Sequence, residues 1–314
     1  MLKQAYTHIF QFTSIGRYWS TYYKSKETTQ KKLSWWESDF AKRHVNMLVN
    51  NTDSTILSEG LNQLLIKRLN GRRLKTGVSV GCGLALKELR LLQLGIVEEF
   101  ILFDMSKEAV KQGINNAKEL NLENRVKYLC QDAFKYDFSN INIDLVYWNN
   151  SLHHMFNVPD AVKWSYDILC PDGFFCMDDY VGPCRFQYPK YMLDIVNDIR
   201  DMLPHKYLKS PFNNGQYMGV VTNENPKDLA RRDPSEAVDS DKILKSVKDY
   251  FPQAEIILTG GIVYAKALVN MWNNFDEENE EDISVLTKLM EIDKHYAQQP
   301  DIVSLYAVAI AGKQ

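Results

Sequence analysis

The amino-acid sequence predicts an α/β fold in which helices cover both faces of a doubly wound, mostly parallel seven-stranded sheet. Five short apolar segments have the length and composition of buried strands, and they lie at residues 78–80, 100–103, 126–129, 144–148 and 173–177. The segments between them carry apolar residues at helical spacing, and strands that alternate with helices form right-handed βαβ units around a parallel sheet. Two later apolar segments, 254–260 and 302–312, supply the remaining strands.

The elements follow one another along the chain in an order that fits this fold. Residues 1–57 are rich in aromatic residues and lysine and show no two-residue alternation, so we expect an N-terminal helical cap. A helix that leads into the first strand is predicted after Ser58 from the spacing of Leu61, Leu64, Leu65 and Leu69. Ser106 is a suitable N-cap for the helix after the second strand, and Pro159 or Asp160 suits the start of the helix after the fourth.

Residues 58–182 form the predicted core, and the chain then changes character. Residues 183–253 are rich in Pro, Asn and charged residues around one predicted helix, Tyr191 to Leu203, and we interpret them as an insertion that contributes a lid to the substrate site. Residues 254–314 complete the sheet. Within them, the acidic run from Glu277 to Asp282 is interpreted as a solvated loop.

Composition and charge restrict the class of protein. A formal net charge of -3 and a pI near 6.1 provide no general attraction to phosphate backbones or anionic lipid, so neither nucleic acid nor a membrane is expected as a partner. The five cysteines show no metal-ligand spacing, so we interpret them as reduced thiols and expect no metal. The N-terminus is too polar and too aromatic for a signal peptide, and no stretch of about 18 apolar residues occurs, which predicts a soluble cytoplasmic protein.

Two glycines and one carboxylate follow the first two predicted strands. Gly81 and Gly83 come directly after the first strand, and Asp104 ends the second. Glycines let the backbone turn tightly towards a ligand, and a carboxylate at this place can accept hydrogen bonds from both ribose hydroxyls. Sheets that bind NAD and sheets that bind S-adenosylmethionine both use this arrangement. Leu86 stands where a dinucleotide fingerprint would have its third glycine, which weakens the pyrophosphate interpretation.

Five segments, in this order and spacing, resemble the class I S-adenosylmethionine-dependent methyltransferases: SVGCGLA, ILFDMS, CQDAF, DLVYWNNSLHHM and LCPDGFFCMDDYVGP. The resemblance covers about residues 60–182. It implies a Rossmann-like fold, methyltransferase activity and S-adenosylmethionine as the cofactor. The later segments RRDPSEAVDSDKIL and GGIVYAKAL are similar to those of a bacterial subgroup of small-molecule or glycan methyltransferases, which implies an acceptor of that kind.

The resemblance also implies a set of cofactor-binding residues, namely Ser79, Gly81, Cys82, Gly83, Asp104, Met105, Asp132, Ala133 and Asn149. In that class the counterpart of Asp104 binds the ribose. Asp132 and Ala133 would line the adenine edge, and Asn149 would lie beside the sulfonium. Ser79 is a departure, because the class often has an acidic residue there, so another group would have to hold the methionyl amine.

Candidate catalytic residues follow the fourth and fifth predicted strands, whose carboxyl ends meet at the edge where ligands bind. His153 and His154 follow the fourth strand, and Asp179 follows the fifth. A general base helps when the methyl acceptor is a hydroxyl or an ammonium group, and histidine and carboxylate are its usual forms. The alternative is that these histidines are structural and that catalysis depends on alignment alone.

Candidate substrate-binding residues are aromatic, amide or arginine side chains expected near this edge: Trp35, Trp36, Asn150, Tyr180, Arg185 and Arg232. Aromatic side chains can cover a pocket, and guanidinium groups bind carboxylate or phosphate. The alternatives are that the tryptophans pack the N-terminal helices onto the core and that the arginines pair with nearby acidic residues such as Asp233 or Glu236.

Two other functions share the predicted architecture. An NAD-dependent oxidoreductase would have the same sheet, glycine turn and Asp104, and a non-catalytic binding protein could keep the fold as a scaffold. The ordered set of cofactor segments favours the methyltransferase. The sequence leaves open which small molecule or glycan is the acceptor, whether O, N or S is methylated, and whether the chain forms a homodimer.

Overall fold

The computed structural model describes residues 15–24 and 32–314. Its centre is a seven-stranded sheet with the strand order β3-β2-β1-β4-β5-β7-β6. The strands are β1 (Leu74–Val80), β2 (Val97–Phe103), β3 (Val126–Leu129), β4 (Ile143–Asn149), β5 (Leu169–Tyr180), β6 (Glu255–Gly260) and β7 (Tyr306–Gly312). Strands β1 to β5 pair in parallel, and β7 runs antiparallel to both of its neighbours. The predicted Rossmann-like, mostly parallel sheet is confirmed.

The described helices cover both faces of the sheet. They are α1 (15–24), α2 (Asp39–Asn50), α3 (Glu59–Leu69), α4 (Leu86–Gln93), α5 (Lys107–Glu119), α6 (Val158–Ile168), α7 (Lys190–Asp201), α8 (Pro226–Arg232), α9 (Ile243–Tyr250) and α10 (Glu280–Ala297). A short π-helix, Ile262–Ala267, follows β6. All seven strands overlap the segments predicted from apolar composition, and β1, β2, β4, β5 and β7 are largely buried, which accounts for their apolar signal.

The two faces of the sheet have separate apolar cores, and the strands contribute to both in alternation. Phe100 and Leu102 belong to the larger core, and Ile101 and Phe103 belong to the core on the opposite face. Side chains along a strand point alternately to the two faces, so a single apolar run serves both cores. This explains why the strand segments are continuous apolar runs rather than alternating ones.

The starts of two helices fix the chain beside the carboxyl edge of the sheet. The Ser106 hydroxyl accepts a 3.1 Å hydrogen bond from the Ala109 amide, as expected for the predicted N-cap of α5. Helix α6 begins at Val158 after the cap residue Asn157, slightly before the predicted start, because the Asn157 side chain accepts a hydrogen bond from the Asp160 amide. Both strand-to-helix connections are therefore held by their own side chains.

The acidic run from Glu277 to Asp282 is a solvated loop only in part, because Glu278, Glu280 and Glu281 are exposed whereas its two end residues are anchored. Glu277 pairs with Lys32 at 3.0 Å and accepts a hydrogen bond from the Phe40 amide. Asp282 lies in the first turn of α10 and accepts a 2.5 Å hydrogen bond from the Tyr207 hydroxyl. These carboxylates connect α10 to the N-terminal helices and to the segment after α7.

Candidate active site

The turn after β1 requires glycine at two positions. Gly81 and Gly83 have φ angles of 66° and 55°, in the left-handed region. A Cβ atom on Gly81 would lie 2.9 Å from the Ser151 Cβ, and one on Gly83 would lie 2.5 Å from the Tyr23 hydroxyl oxygen. Backbone conformation and space both exclude a side chain, so the main chain here can approach a ligand closely.

Asp104 lies beside this turn and is oriented by backbone amides. Its Oδ2 accepts a 2.8 Å hydrogen bond from the Gly83 amide, and its Oδ1 accepts one of 2.8 Å from the Ser106 amide. Burial raises the pKa of this carboxyl above its ordinary value, and the amide donors oppose that rise. A carboxylate oxygen has two acceptor sites, so Asp104 retains the capacity to accept hydroxyl protons as well.

A buried carboxyl group also lies next to Ser79, at the base of the same turn. The Ser79 hydroxyl donates a 2.7 Å hydrogen bond to Oε1 of Glu88, which lies in the first turn of α4 and is 2% exposed. Burial raises the pKa of Glu88, partly offset by that hydrogen bond. The carboxyl group that the sequence lacks at position 79 is therefore supplied nine residues later along the chain.

Asn149, at the end of β4, is held by a buried polar network. Its amide nitrogen donates hydrogen bonds to the Tyr147 hydroxyl at 2.9 Å and to the Ser58 hydroxyl at 3.0 Å. The Ser58 hydroxyl in turn donates to Asp178 Oδ2 at 2.7 Å, and the Asn150 side chain donates to the Asn149 oxygen. Both amide protons and the amide oxygen are thus engaged, which fixes the orientation of this side chain.

His153 is oriented by Asp179, at the end of β5. The His153 Nδ1 lies 2.5 Å from Asp179 Oδ1, and Asp179 Oδ2 accepts hydrogen bonds from the Ser151 and Leu152 amides at 2.9 and 2.8 Å. Asp179 is fully buried. Burial tends to raise the pKa of Asp179, but His153 and the amides outweigh it and the pKa is lowered. Asp179 is therefore an ionised positioning residue whose two oxygens are already engaged.

A second carboxylate faces the other nitrogen of the same imidazole. The His153 Nε2 lies 3.5 Å from Glu236 Oε1. Burial tends to lower the pKa of His153, but Asp179 and Glu236 outweigh it and raise the pKa to about 10. Burial likewise tends to raise the pKa of Glu236, whereas His154 and His153 lower it to about 2. In this arrangement His153 is a cation between two carboxylates.

His154 has a different environment. Its Nδ1 lies 3.1 Å from the Ser235 hydroxyl oxygen, and that hydroxyl donates a 2.6 Å hydrogen bond to Asp233 Oδ1. Burial lowers the pKa of His154, and the neighbouring charge on His153 lowers it further. The two imidazole rings lie 4.1 Å apart, centroid to centroid. The two neighbouring imidazoles therefore have opposite pKa shifts, upward for His153 and downward for His154.

Helix α1 covers both parts of this edge. The Ser20 hydroxyl lies 3.1 Å from the Ser106 hydroxyl, after β2, and Tyr23 lies over the glycine turn. The Trp19 ring contacts the His154 ring edge to face, with centroids 5.3 Å apart. A single helix thus bridges the glycine turn and the histidine pair.

Comparison with known proteins assigns the part of the chain that contains the glycine turn to a protein family. Residues 78–177 match a family model described as a methyltransferase domain. This chain contains a class I S-adenosylmethionine-dependent methyltransferase domain. No curated protein sequence matches the chain at a significant level. The match confirms the family and the cofactor, S-adenosylmethionine, that the sequence motifs predicted, and it favours them over the NAD-dependent alternative.

Solved structures of methyltransferases share the fold of this methyltransferase domain and of the elements around it. A geranyl diphosphate C-methyltransferase from Streptomyces coelicolor A3(2), in complex with Mg²⁺, geranyl diphosphate and S-adenosyl-L-homocysteine, superimposes with a TM-score of 0.54 at 10% identity, over 97% of this chain and 98% of that one. A geranyl diphosphate methyltransferase in complex with S-adenosylmethionine gives a TM-score of 0.50 at 10% identity, over 83% of this chain and 88% of that one. At such identity the likeness shows the fold.

The other residues predicted to bind the cofactor of this methyltransferase include Asp132 and Cys82, which have defined local contacts in the structure. Asp132 caps the short helical turn that contains Ala133, by accepting a 3.0 Å hydrogen bond from the Phe134 amide, and it pairs with Lys135 at 3.3 Å. The Cys82 thiol lies 3.4 Å from the Phe103 carbonyl oxygen. The cofactor roles of Asp132, Ala133, Cys82 and Met105 stay predictions.

The two tryptophans proposed as a pocket cover differ in the methyltransferase structure. Trp35 is 4% exposed and packs edge to face on Tyr264 and Tyr306, at 5.2 and 5.4 Å between centroids. Trp36 is 44% exposed. This geometry favours the alternative in which Trp35 attaches the N-terminal helices to the core.

The two arginines proposed to bind substrate have other partners. The Arg185 guanidinium donates hydrogen bonds to the Pro234 and Glu236 carbonyl oxygens at 2.7 and 3.0 Å, so it holds the loop that carries Glu236. Arg232 forms a two-point pair with Glu224, at 2.7 and 2.9 Å. Tyr180, also proposed for substrate, is buried and donates its hydroxyl proton to a backbone carbonyl. These contacts favour structural roles.

Sequence reasoning missed three groups at this edge: Ser58, Glu88 and Glu236. Glu88 lies in the first turn of the helix that follows β1, and the first turn of such a helix folds back beside the end of the strand. The order of strand, glycine turn and helix along the sequence could therefore have predicted that Glu88 lies near Ser79. Glu236 lies in an irregular segment far along the chain, and neither spacing nor periodicity indicates that it reaches His153. None of the described helices combines the length and the apolar character that crossing a membrane requires.

Proposed function

We propose that this chain is an S-adenosylmethionine-dependent methyltransferase that acts on a small-molecule or glycan acceptor. The observation that carries the proposal is the position of α1, which places Tyr23 over the glycine turn and Trp19 against His154. A cofactor edge and a cluster of titratable groups therefore share one covered space. Methyl transfer needs this arrangement, since the two reacting groups must be aligned and shielded from water.

The residues around the turn fit the cofactor. Gly81 and Gly83 leave room for close approach of a ligand to the backbone, and Asp104 can accept hydrogen bonds from ribose hydroxyls. The buried Glu88 carboxylate is the acidic group near the turn that could bind the methionyl ammonium. When bound, S-adenosylmethionine supplies a methyl group that is already strongly electrophilic, so no nucleophilic side chain is needed.

The residues on the acceptor side would align the acceptor and exclude water. Asp179 orients His153, and Arg185 holds the loop that presents Glu236. His154, whose pKa is lowered by burial and by His153, lies against Trp19. His153, His154 and Glu236 are thus the groups placed to contact an acceptor oxygen or nitrogen, while α1 closes the site.

Calorimetry tests the cofactor half of the proposal. The full chain should bind S-adenosylhomocysteine with a Kd in the micromolar range and should show no measurable heat with NADH. Binding of NADH without binding of S-adenosylhomocysteine would contradict the proposal.

The same preparation, incubated with methyl-labelled S-adenosylmethionine and fractionated metabolite or glycan extracts, should transfer label to a discrete acceptor that mass spectrometry can identify.

Absence of any labelled product, in samples that bind S-adenosylhomocysteine, would favour the scaffold alternative. An Asp104→Ala variant is the negative control, because loss of the carboxylate should reduce both binding and label transfer. A product that forms equally with this variant would indicate a contaminating enzyme.

A further inference from the structure

The hydrogen-bond network defines which nitrogen of His154 carries its proton. The Ser235 hydroxyl has a single proton, and it is donated to Asp233 Oδ1 at 2.6 Å. The same hydroxyl oxygen, 3.1 Å from His154 Nδ1, can therefore act only as an acceptor from that nitrogen. Nδ1 of His154 thus carries a proton, and Nε2 is the ring nitrogen that remains for another ligand.

The same reasoning applies to His153. The Asp179 carboxylate accepts hydrogen bonds from the Ser151 and Leu152 amides, and His153 Nδ1 is the further donor, at 2.5 Å from Oδ1. Nε2 is the nitrogen that faces Glu236 Oε1, at 3.5 Å. A lone pair on Nε2 would face a carboxylate oxygen directly, so this place requires either a proton or another cation between the two groups.

The cluster has the size and the surplus of negative charge of a cation site. One ligand atom from each of His153, His154 and Glu236 lies within 4.8 Å of the others. Asp179 and Asp233 are 0% and 1% exposed. Asp179 and Glu236 form ion pairs with His153, and Asp233 forms one with His154. Asp233 Oδ2 is buried without a hydrogen-bond partner, 3.9 Å from His154 Nδ1.

We propose that His153, His154 and Glu236 bind a divalent transition-metal ion, with Zn²⁺ as the first choice, through the two Nε2 atoms and a carboxylate oxygen. Two imidazoles and one carboxylate are a ligand set of catalytic zinc sites, and imidazole ligands disfavour Mg²⁺. The atoms need only modest movement to reach Zn–N distances of about 2.0–2.1 Å.

Partners behind the ligands support this assignment. Metal-binding histidines usually donate their other ring N–H to a carboxylate or another acceptor, which fixes the tautomer and the ring orientation. Asp179 does this for His153, and Ser235 with Asp233 does it for His154. Arg185 holds the backbone of the Glu236 loop. The three ligands are therefore oriented before any metal binds.

Three protein ligands leave a position open on a four-coordinate metal, and catalytic zinc sites keep such a position for water or substrate. A hydroxyl bound there has a strongly lowered pKa, as metal-bound water does. The site would thus select an oxygen acceptor, such as an alcohol or hydroxy acid. This choice of acceptor depends on the proposed function, whereas metal binding itself does not.

Metal binding by the full chain is the first test. Protein treated with a chelator and then dialysed should bind one equivalent of Zn²⁺ in calorimetry, with a Kd in the micromolar range or tighter, and should not bind Mg²⁺ comparably. Co²⁺ should give a visible absorption band typical of nitrogen and oxygen ligands. Folded wild-type protein that binds neither Zn²⁺ nor Co²⁺ overturns the proposal.

Variants test which residues bind the metal. His154→Ala and Glu236→Gln should weaken Zn²⁺ binding by at least about 100-fold and remove the Co²⁺ band, and Asp179→Asn should weaken binding by about 10–100-fold. The matched controls are His205→Ala and Glu291→Gln, whose exposed side chains lie elsewhere on the surface. Unchanged Co²⁺ spectra in both ligand variants would assign the metal to another place and contradict the proposal.

S-adenosylhomocysteine calorimetry on the same samples separates the two proposals. A ligand variant that loses Zn²⁺ but binds S-adenosylhomocysteine normally is folded and has lost only the metal site. A wild-type chain that binds Zn²⁺ but not S-adenosylhomocysteine would retain the metal proposal and contradict the proposed function. Zn²⁺ should also raise the thermal midpoint of wild type and not that of Glu236→Gln.

Discussion

The Ser79 hydroxyl donates a 2.7 Å hydrogen bond to the Glu88 carboxyl group and thereby joins the end of β1 to the first turn of α4. The pair lies at the base of the glycine turn. A buried carboxyl group with a single hydroxyl donor retains further acceptor capacity. It can therefore hold an ammonium group that approaches along the turn.

Glu88→Gln tests this role, because glutamine keeps the size of the side chain and removes its charge. We expect S-adenosylhomocysteine to bind about 10–100-fold more weakly, the effect of losing a hydrogen bond between charged groups, with little loss of thermal stability. Calorimetry and thermal unfolding measure the two effects. Glu119→Gln, at an exposed position of α5, is the control. Equal affinities for Glu88→Gln and wild type would remove Glu88 from the cofactor site.

Asp104 should contribute both to binding and to the turn itself. Asp104→Ala removes the acceptor for the Gly83 and Ser106 amides as well as the ribose acceptor. S-adenosylhomocysteine affinity should fall by about 1.5–3 kcal/mol, and the thermal midpoint should also decrease. The comparison is Asp137→Ala, which removes a hydrogen bond to the Ser139 amide in an exposed turn. A variant with lower stability and unchanged affinity would limit Asp104 to a structural role.

The contact between Gly83 and Tyr23 can be measured as a coupling energy. Gly83→Ala should destabilise the protein by about 1–2 kcal/mol, because φ is positive and the new methyl group would meet the Tyr23 hydroxyl. Tyr23→Phe removes that hydroxyl, so the double variant should be less destabilised than the sum of the two single variants. Denaturant unfolding provides the three values. Strict additivity would show that α1 does not lie on the turn in solution.

His44 predicts a pH dependence of stability. Burial, with a smaller contribution from Lys294, lowers the pKa of His44 to about 4, and its buried Nε2 lacks a hydrogen-bond partner. The unfolded chain, with a histidine pKa near 6.5, binds more protons between these values, so the free energy of unfolding should decrease as pH falls from about 6.5 towards 4. The decrease attributable to this residue should be about 1–3 kcal/mol.

Denaturant unfolding between pH 4 and 7 measures this slope. His44→Phe should flatten it, because phenylalanine fits an apolar site beside Tyr264 and cannot be protonated. His205→Ala, at an exposed position, should leave the slope unchanged. If His44→Phe has the wild-type slope, other groups cause the acid sensitivity.

The sheet and the glycine turn could be predicted from the sequence because each follows from local chemistry. A strand such as β4 is buried on both faces and is therefore an apolar run, and Gly81 and Gly83 mark a backbone that tolerates no side chain. The roles of Arg185 and Trp35 could not be predicted, since a guanidinium or an indole suits a pocket and a packed interface equally. Only the fold shows that Arg185 meets backbone carbonyls.

The histidine cluster shows the same limit. His153 and Asp179 could be placed at one edge because His153 follows β4 and Asp179 lies at the end of β5, and parallel strands share a carboxyl edge. Glu236 reaches them from an irregular segment after α8, whose path depends on many tertiary contacts. When metal ligands come from the ends of strands and from such a segment, the number of residues between them follows no recognisable motif. The sequence alone therefore does not reveal that they meet.

Strand β7 is the last strand along the sequence, yet it lies between β5 and β6. During synthesis, the edge of β5 therefore has no neighbour on that side until residues 306–312 have left the ribosome. The strand that carries Asp179 thus exposes a row of unpaired backbone groups to the cell's folding machinery from its own synthesis until that of β7. A nascent chain of this protein is most vulnerable to aggregation in the interval just before β7 inserts.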